Sequence, residues 1–183
     1  SMDESMEFHH VDCDEGPVIT KQISAKASSY LSNIMESDNR SFTFVYFGAI
    51  DTCGHKYGTA HPMYDDSIEW VDEAIGKIMS SLDMTKTMVF VVSDHGRDPF
   101  GGHNHGDFHQ TTMTTQWFAY GPEVGIRVNH KIELAVGTQD TAPTILEAFG
   151  MKRPVQWNAH PVMDIFIDYD IDNRHYSVVL DEE

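Results

Sequence analysis

The sequence predicts an α/β protein in which a mainly parallel sheet is flanked by helices. Residues 42–47 and 88–92 are apolar or β-branched at almost every position, which is typical of strands buried on both faces. Segments with helical periodicity alternate with these strands, and this order favours a parallel sheet covered by helices. The chain has 183 residues, 40% of them apolar, which suits one ordinary domain.

We expect three segments along the chain. Residues 1–20 are acidic and lack periodicity, so they read as a flexible lead-in that starts with a vector scar, Ser1 and Met2. Residues 21–167 form the domain. Residues 168–183 carry aspartates at alternate positions and are expected to be a peripheral acidic tail.

The elements follow in order. A helix is predicted from Ile23 until Asp38 and Asn39 end the run, followed by the strand at 42–47 and a loop rich in glycine and histidine. After Pro62 the apolar residues recur at helical steps, and this is the clearest helix in the chain. A strand at 88–92, a third strand at 117–120 and a helix opening at Thr141 and stopped by Gly150 complete the order.

Composition excludes several classes of partner. The 12 basic and 29 acidic residues give a net charge of −17, which opposes binding to nucleic-acid duplexes and anionic lipid. No run approaches the ~20 apolar residues of a membrane span. The two cysteines, Cys13 and Cys53, are too few for a disulfide scaffold and lack the spacing of a structural zinc site, so they leave the compartment undecided.

Polar clusters lie where the predicted strands end. Ligands in open α/β sheets bind at the carboxyl edge, where the loops after the strands meet. Zinc accepts histidine nitrogen and aspartate oxygen, and a hydrolytic pair of ions about 4 Å apart needs ligands from several strand ends. The candidate ligands for two divalent ions are Asp51, His55, Asp94, His95 and His105. The glycines beside them, Gly54, Gly96 and Gly106, would let the backbone approach an ion or turn sharply.

Each cluster also has a structural interpretation. Asp51 could cap a turn, and Asp94 could cap a helix. The third histidine is open between His105, His103 and His109. Arg97 could face a substrate anion or leaving group, or it could be a solvated loop residue.

These motifs, in this order, resemble the alkaline phosphatase superfamily. The match covers about residues 42–166 and includes the DTCGH segment at 51–55, the SDHG segment at 93–96, the HG pair at 105–106 and the DTAPT segment at 140–144. The nearest branch is that of the type I phosphodiesterases and nucleotide pyrophosphatases. The resemblance implies an alkaline-phosphatase-like fold in a protein that is secreted, periplasmic or membrane-anchored with a lumenal or extracellular site.

The resemblance also implies roles for individual residues. Asp51, His55 and His105 would hold one ion, and Asp94 and His95 would contribute to the other. Zinc is favoured, with manganese, magnesium and calcium as alternatives. In the family, a Ser or Thr nucleophile and a further Asp come from the amino-terminal half, and no residue before position 42 matches them. The chain therefore reads as an incomplete fold whose partner is the missing amino-terminal half.

The predicted function is that of a metal-dependent phosphoric ester hydrolase of the phosphodiesterase type, acting on a small phosphate ester as the full-length protein. The fragment alone is expected to be inactive, with no catalytic nucleophile and no assigned substrate-binding residue. The alternatives are a non-catalytic divalent-metal-binding fragment and the other superfamily activities, namely phosphomonoesterase, phosphonate or sulfate ester hydrolase and phosphomutase.

Overall fold

The computed structural model describes residues 12–36 and 40–168. Within them the helices are α1 (Gly16–Met35), α2 (Ala49–Tyr57), α3 (Pro62–Met79), α4 (Gln110–Met113) and α5 (Thr141–Ala148), and the strands are β1 (Val89–Val92) and β2 (Trp117–Tyr120). The chain divides into two compact units. The first reaches Asp83 and includes Asp94–Thr115, and the second comprises Met84–Ser93 and residues from Gln116 onward.

Helix α1 begins earlier than its periodicity predicted. A 3₁₀ turn at Cys13–Glu15 leads into the helix at Gly16, and Pro17 lies in its first turn, where the missing N–H costs nothing. The predicted lead-in at 1–20 is therefore helical from Gly16. Its part before Asp12, and the predicted tail after Asp168, lie outside the described residues.

Helix α3 confirms the strongest prediction from the sequence. The ring of His61 caps it, because Nδ1 accepts a hydrogen bond of 3.1 Å from the backbone N–H of Met63. Helix α3 packs against α1 and α2 and shares with them the core of the first unit. That core consists of Ala49 and Val71, with Ile19, Phe47, Ile50 and Ile75 around them.

The prediction of a strand at 42–47 is wrong for the described structure, which has no regular element before α2 in this segment. Three aromatic side chains at alternate positions are largely exposed: Phe42 at 61%, Phe44 at 76% and Tyr46 at 62%. The composition of a strand is present here. A strand, however, exists only when its backbone pairs with a neighbour, and none of the described residues pairs with this segment.

Strands β1 and β2 in the second unit confirm two predicted strands but not their direction. They pair antiparallel, with Val89 opposite Tyr120 and Val92 opposite Trp117. The rings of Phe90 and Trp117 lie 5.7 Å apart. The parallel arrangement predicted for the sheet is thus not found among the described residues, because an apolar run indicates burial and does not specify which neighbour a strand pairs with.

Helix α5 is held by side chains of the DTAPT segment. The Asp140 carboxylate accepts hydrogen bonds from the backbone N–H groups of Gly137 and His160 at 2.8 and 3.0 Å. The Thr144 hydroxyl donates to Asp140 O at 2.6 Å and accepts from Val162 N at 2.8 Å. This segment therefore has a structural role in the second unit. None of the described helices is both long and apolar enough to cross a bilayer.

Candidate metal centre

Helix α2 carries the first two candidate ligands. Asp51 and His55 are four residues apart, so they lie on the same face of the helix, and Asp51 Oδ1 is 3.5 Å from His55 Nε2. We predicted a loop here. The helical spacing of the DTCGH segment was the signal that could have revealed the helix.

A disulfide ties the same helix to the turn that precedes α1. Cys53 bonds to Cys13, 40 residues earlier, and both side chains are fully or almost fully buried. The sequence did not reveal this pairing, because connectivity follows from distance in the fold and the two cysteines are far apart in the chain. The bond reaches the middle of α2, between the two candidate ligands.

Ion pairs reinforce this attachment at the surface. Lys56 donates to Asp12 Oδ1 at 3.1 Å and to Asp14 Oδ2 at 2.6 Å, and the Tyr57 hydroxyl donates to Asp14 Oδ1 at 2.8 Å. A hydrogen bond from the backbone N–H of Asp14, together with Lys56, lowers the pKa of Asp12, and hydrogen bonds from Lys56 and Tyr57 lower the pKa of Asp14. The last turn of α2 is thus fixed by charge as well as by the disulfide.

The loop after Asp94 supplies the other candidates, and close backbone contacts fix its course. Gly96 N donates to Thr112 O at 2.8 Å, and a Cβ atom on Gly96 would lie only 1.9 Å from Thr111 O. Asp98 then closes the loop by accepting from the backbone N–H groups of Asn104 at 2.6 Å and Phe100 at 2.8 Å. The Asn104 hydrogen bond is the main cause of the lowered pKa of Asp98.

Three imidazoles converge on one carboxylate oxygen. Asp51 Oδ1 lies 3.5 Å from His55 Nε2 and 3.7 Å from Nε2 of both His95 and His105. His55 Nε2 and His105 Nε2 are 3.1 Å apart. The rings of His95 and His105 stack with centroids 3.7 Å apart. The structure therefore brings four of the five predicted ligands to one point.

These donor atoms match the demands of a zinc ion. Asp51, His55 and His105 offer ligand atoms that all lie within 4.8 Å of one another. In a tetrahedral site with bonds of about 2.0–2.1 Å, neighbouring ligand atoms are about 3.3 Å apart. The observed separations of 3.1, 3.5 and 3.7 Å surround that value. An oxygen and two nitrogens are also the donor types that zinc prefers.

Asp94 belongs to the edge of this cluster. Its Oδ2 atom is 3.7 Å from His95 Nε2, and 73% of its side chain is exposed. The backbone N–H of His95 donates to Asp94 Oδ1 at 3.0 Å, while His95 Nδ1 lies 2.9 Å from Gly96 O. A proton on Nδ1 would satisfy that carbonyl and leave Nε2 free for an ion.

The two alternative histidines occupy other positions. His103 Nδ1 lies 3.1 Å from the backbone oxygen of His55, near the end of α2. His109 caps α4, and its Nδ1 atom is 3.0 Å from the Thr111 hydroxyl. Of the three candidates, His105 is the one whose ring nitrogen lies within 4.8 Å of side-chain ligand atoms of both Asp51 and His55.

The electrostatics of the cluster favour a neutral ligand at His105. Its partial burial lowers the pKa of the ring, and the neighbouring His95 lowers it further. A neutral imidazole can bind a metal without first losing a proton. Desolvation raises the pKa of Tyr46, which the sequence did not single out, and the negative charges of Asp94 and Asp51 raise it further.

Arg97 is neither a solvated loop residue nor free to meet a substrate. Only 8% of it is exposed, and Nη2 donates to both the backbone oxygen and Oδ1 of Asp51. The loop that follows the SDHG segment thus brings an ion-pair partner to the first candidate ligand.

Comparison with known families agrees with this arrangement of motifs. The model of the type I phosphodiesterase / nucleotide pyrophosphatase family matches residues 6–176. The chain therefore belongs to this family, within the alkaline phosphatase superfamily.

Curated relatives are similar over part of their length. The chain is 24% identical to GPI ethanolamine phosphate transferase 3 of Schizosaccharomyces pombe over 70% of this chain and 14% of the relative. It is 31% identical to GPI ethanolamine phosphate transferase 1 of Yarrowia lipolytica, over 55% of this chain and 11% of the relative. It is 28% identical to the human GPI ethanolamine phosphate transferase 3, catalytic subunit, over 51% of this chain and 8% of the relative. The chain thus spans 14% or less of these three relatives, and no solved structure matches significantly.

Proposed function

We propose that this chain is the metal-binding part of an enzyme that cleaves phosphoric esters of the diester type. The observation that carries the proposal is the convergence of three histidine Nε2 atoms on Asp51 Oδ1, at 3.5 to 3.7 Å. Family membership adds the class of chemistry, since relatives of this family process phosphoesters.

In this proposal Asp51, His55 and His105 hold one divalent ion, and Asp94 and His95 contribute to a second. Such ions supply positive charge that stabilises the phosphoryl oxygens as the ester bond breaks. The chain's own residues orient the ligands. Helix α2 fixes Asp51 and His55, and the contact of His95 Nδ1 with Gly96 O directs its Nε2 atom. Burial lowers the pKa of the His105 ring, which favours the neutral form that binds a metal. Zinc is the ion that this donor set favours.

The acceptor of the phosphoryl group distinguishes two versions of this function. Our sequence-based hypothesis is hydrolysis, in which water is the final acceptor. The named relatives are ethanolamine phosphate transferases, which favours transfer to a hydroxyl acceptor instead. Both versions need the same electrostatic stabilisation, so the metal cluster by itself supports either one.

The nucleophile is proposed to come from another part of the longer protein. Thr52, the hydroxyl next to Asp51, donates to the backbone oxygens of Gly48 and Ala49 at 3.2 and 3.1 Å and so is engaged within α2. The exposed aromatic residues Phe42, Phe44 and Tyr46 provide an apolar face that the remainder of the fold would cover.

Zinc binding by the 183-residue chain tests the metal site. Calorimetric titration is expected to show binding in the wild type and loss of about tenfold or more in affinity in H55A and H105A, since each change removes one ligand. H103A and H109A are the matched controls, because these rings have other partners, and they should retain wild-type affinity. Equal losses in all four variants, or no binding by the wild type, would overturn the proposed site.

Activity tests require the longer protein that contains this chain. A chromogenic phosphodiester with and without an added alcohol separates hydrolysis from transfer, because transfer converts the alcohol to a new phosphate ester. D51N and H55A should abolish either reaction. The competing function, a metal-binding domain without turnover, is favoured if the longer protein binds zinc and leaves phosphodiester, phosphomonoester and sulfate ester unchanged.

A further inference from the structure

Arg97 is a buried cation next to a proposed metal site. Its backbone is fixed by the hydrogen bond from Arg97 N to Thr111 O at 3.2 Å, and only 8% of the residue is exposed. Nη1 is buried without a hydrogen-bond partner among the described residues. Burial of a guanidinium is costly unless a negative charge compensates it. The role of Arg97 therefore depends on which negative charge lies beside it.

That charge is the carboxylate of Asp51. Nη2 of Arg97 donates to Asp51 Oδ1 and also to the backbone oxygen of Asp51, so the guanidinium contacts the helix as well as the side chain. The two partners differ in exposure, because 8% of the arginine side chain and 35% of the aspartate side chain are accessible to solvent. Arg97 is thus the buried partner, and Asp51 faces the histidine cluster.

Helix α2 is shaped to accept this guanidinium. A Cβ atom at Gly54 would lie 2.6 Å from Cζ of Arg97 and 2.7 Å from Nε and Nη2. A side chain at this position would force the guanidinium to shift. The glycine that we had expected to let the backbone approach an ion therefore makes room for Arg97.

The oxygen that Arg97 contacts is the same Oδ1 atom on which the three histidines converge. A divalent ion bound there would lie within about 5 Å of the guanidinium, where two positive charges repel each other strongly in a partly buried site. Arginine remains charged throughout the physiological range, so it cannot relieve this repulsion by losing its proton.

We infer that Arg97 is a built-in counter-ion that neutralises Asp51 in the metal-free protein and weakens the binding of a divalent ion to the cluster. The inference rests on the proposed function, because it takes Asp51, His55 and His105 as ligands. Arg97 is a positioning residue because it holds Asp51, and its positive charge lowers the affinity of the cluster for a divalent ion.

The test is a zinc titration of the whole 183-residue chain at fixed pH and salt. In R97Q the positive charge is gone while a hydrogen-bond donor remains, so zinc should bind about tenfold more tightly or better. R97K keeps the charge and should stay within about twofold of the wild type, because the repulsion remains. K77Q removes one exposed charge at the end of α3 and controls for net charge.

Weaker or unchanged zinc binding by R97Q would contradict the counter-ion role of Arg97. An equal gain in zinc affinity in R97K would also contradict it, because the effect would then come from the shape of the side chain and not from its charge. If the wild type binds zinc and R97Q does not bind it more tightly, the counter-ion alone fails. If neither wild type nor R97Q binds zinc, the proposed metal site fails as well.

Thermal unfolding of the metal-free chain supplies a second readout. R97Q should lower the melting temperature, because Asp51 loses its compensating charge. The double variant D51N/R97Q should recover part of the loss, since the uncompensated carboxylate is then gone. Should R97Q fail to fold, the double variant must fold for the inference to stand. A double variant that is no more stable than R97Q overturns it.

Discussion

Gly54 and Arg97 fit each other so closely that a single methyl group would separate them. A Cβ atom at position 54 would approach the guanidinium carbon to 2.6 Å, and the buried arginine has little room to retreat. The glycine within the ligand motif thus depends on a residue 43 positions later in the chain, which joins helix α2 to the loop after Asp94.

We expect G54A to destabilise the metal-free chain by about 1–3 kcal/mol through overpacking against Arg97. G76A is the matched control, because Gly76 is an exposed glycine within α3 and a Cβ atom added there would meet nothing within 4 Å. Replacing it should stabilise the chain by about 0.5–1 kcal/mol. Urea unfolding measures both, and a G54A variant as stable as G76A would contradict the close contact.

Reduction of the Cys13–Cys53 bond should lower stability by about 2–4 kcal/mol, since the closed loop restricts the unfolded chain. Thermal unfolding with and without a reductant measures the change. C13S/C53S is the control, because its melting temperature should equal that of the reduced protein and should not change when the reductant is added. Two free thiols in the untreated chain would show that the bond does not form.

The ion pairs of Lys56 make stability depend on acid. The pKa values of Asp12 and Asp14 are lowered in the folded protein, so their contribution is present above their ordinary pKa of about 3.9 and is lost as the pH falls through the folded values. As the pH is lowered from about 6 to about 2, the urea concentration at the unfolding midpoint should therefore decrease more steeply in the wild type than in K56M. K77M should follow the wild type, and identical slopes in K56M and wild type would contradict the assignment.

His130 has a partner that the sequence did not reveal. Its Nε2 atom is 3.2 Å from Oδ2 of the buried Asp164, whose Oδ1 atom has no hydrogen bond among the described residues. H130A should cost about 1–3 kcal/mol, because it leaves the buried carboxylate without its neighbour. H160A, at an exposed position, should change stability by less than about 0.5 kcal/mol. Equal urea midpoints for the two variants would rule out the interaction.

The sequence predicted elements whose signal is local. Helix α3 repeats its apolar residues along its whole length, and β1 and β2 are short apolar runs, so each carries its own evidence. The segment at 42–47 has equally strong local evidence but no partner in the described chain. Strand direction and strand existence depend on neighbours, which a pattern within one segment does not contain.

The sequence predicted the candidate ligands, but it did not predict the contacts that hold them in place. Asp51, His55 and His105 were predicted as ligands because their residue types and order suit a metal, and the structure brings the three together. Two features depend on contacts between residues far apart in the chain, so no local pattern predicts them. They are the burial of Arg97 and the bond between Cys13 and Cys53. Helix α4, with four residues, is too short for periodicity to indicate.

The cystine at the centre of the DTCGH segment makes the chain sensitive to the redox conditions under which it is produced. Glutathione and thioredoxin keep thiols reduced in the cytosol, whereas exported chains meet oxidants and isomerases. The cysteine that closes this bond lies between Asp51 and His55, so the redox state of the bond bears on the helix that carries both candidate ligands. We expect protein produced in an oxidising compartment to be uniform in its zinc stoichiometry, and protein from a reducing cytosol to be a mixture until it is oxidised.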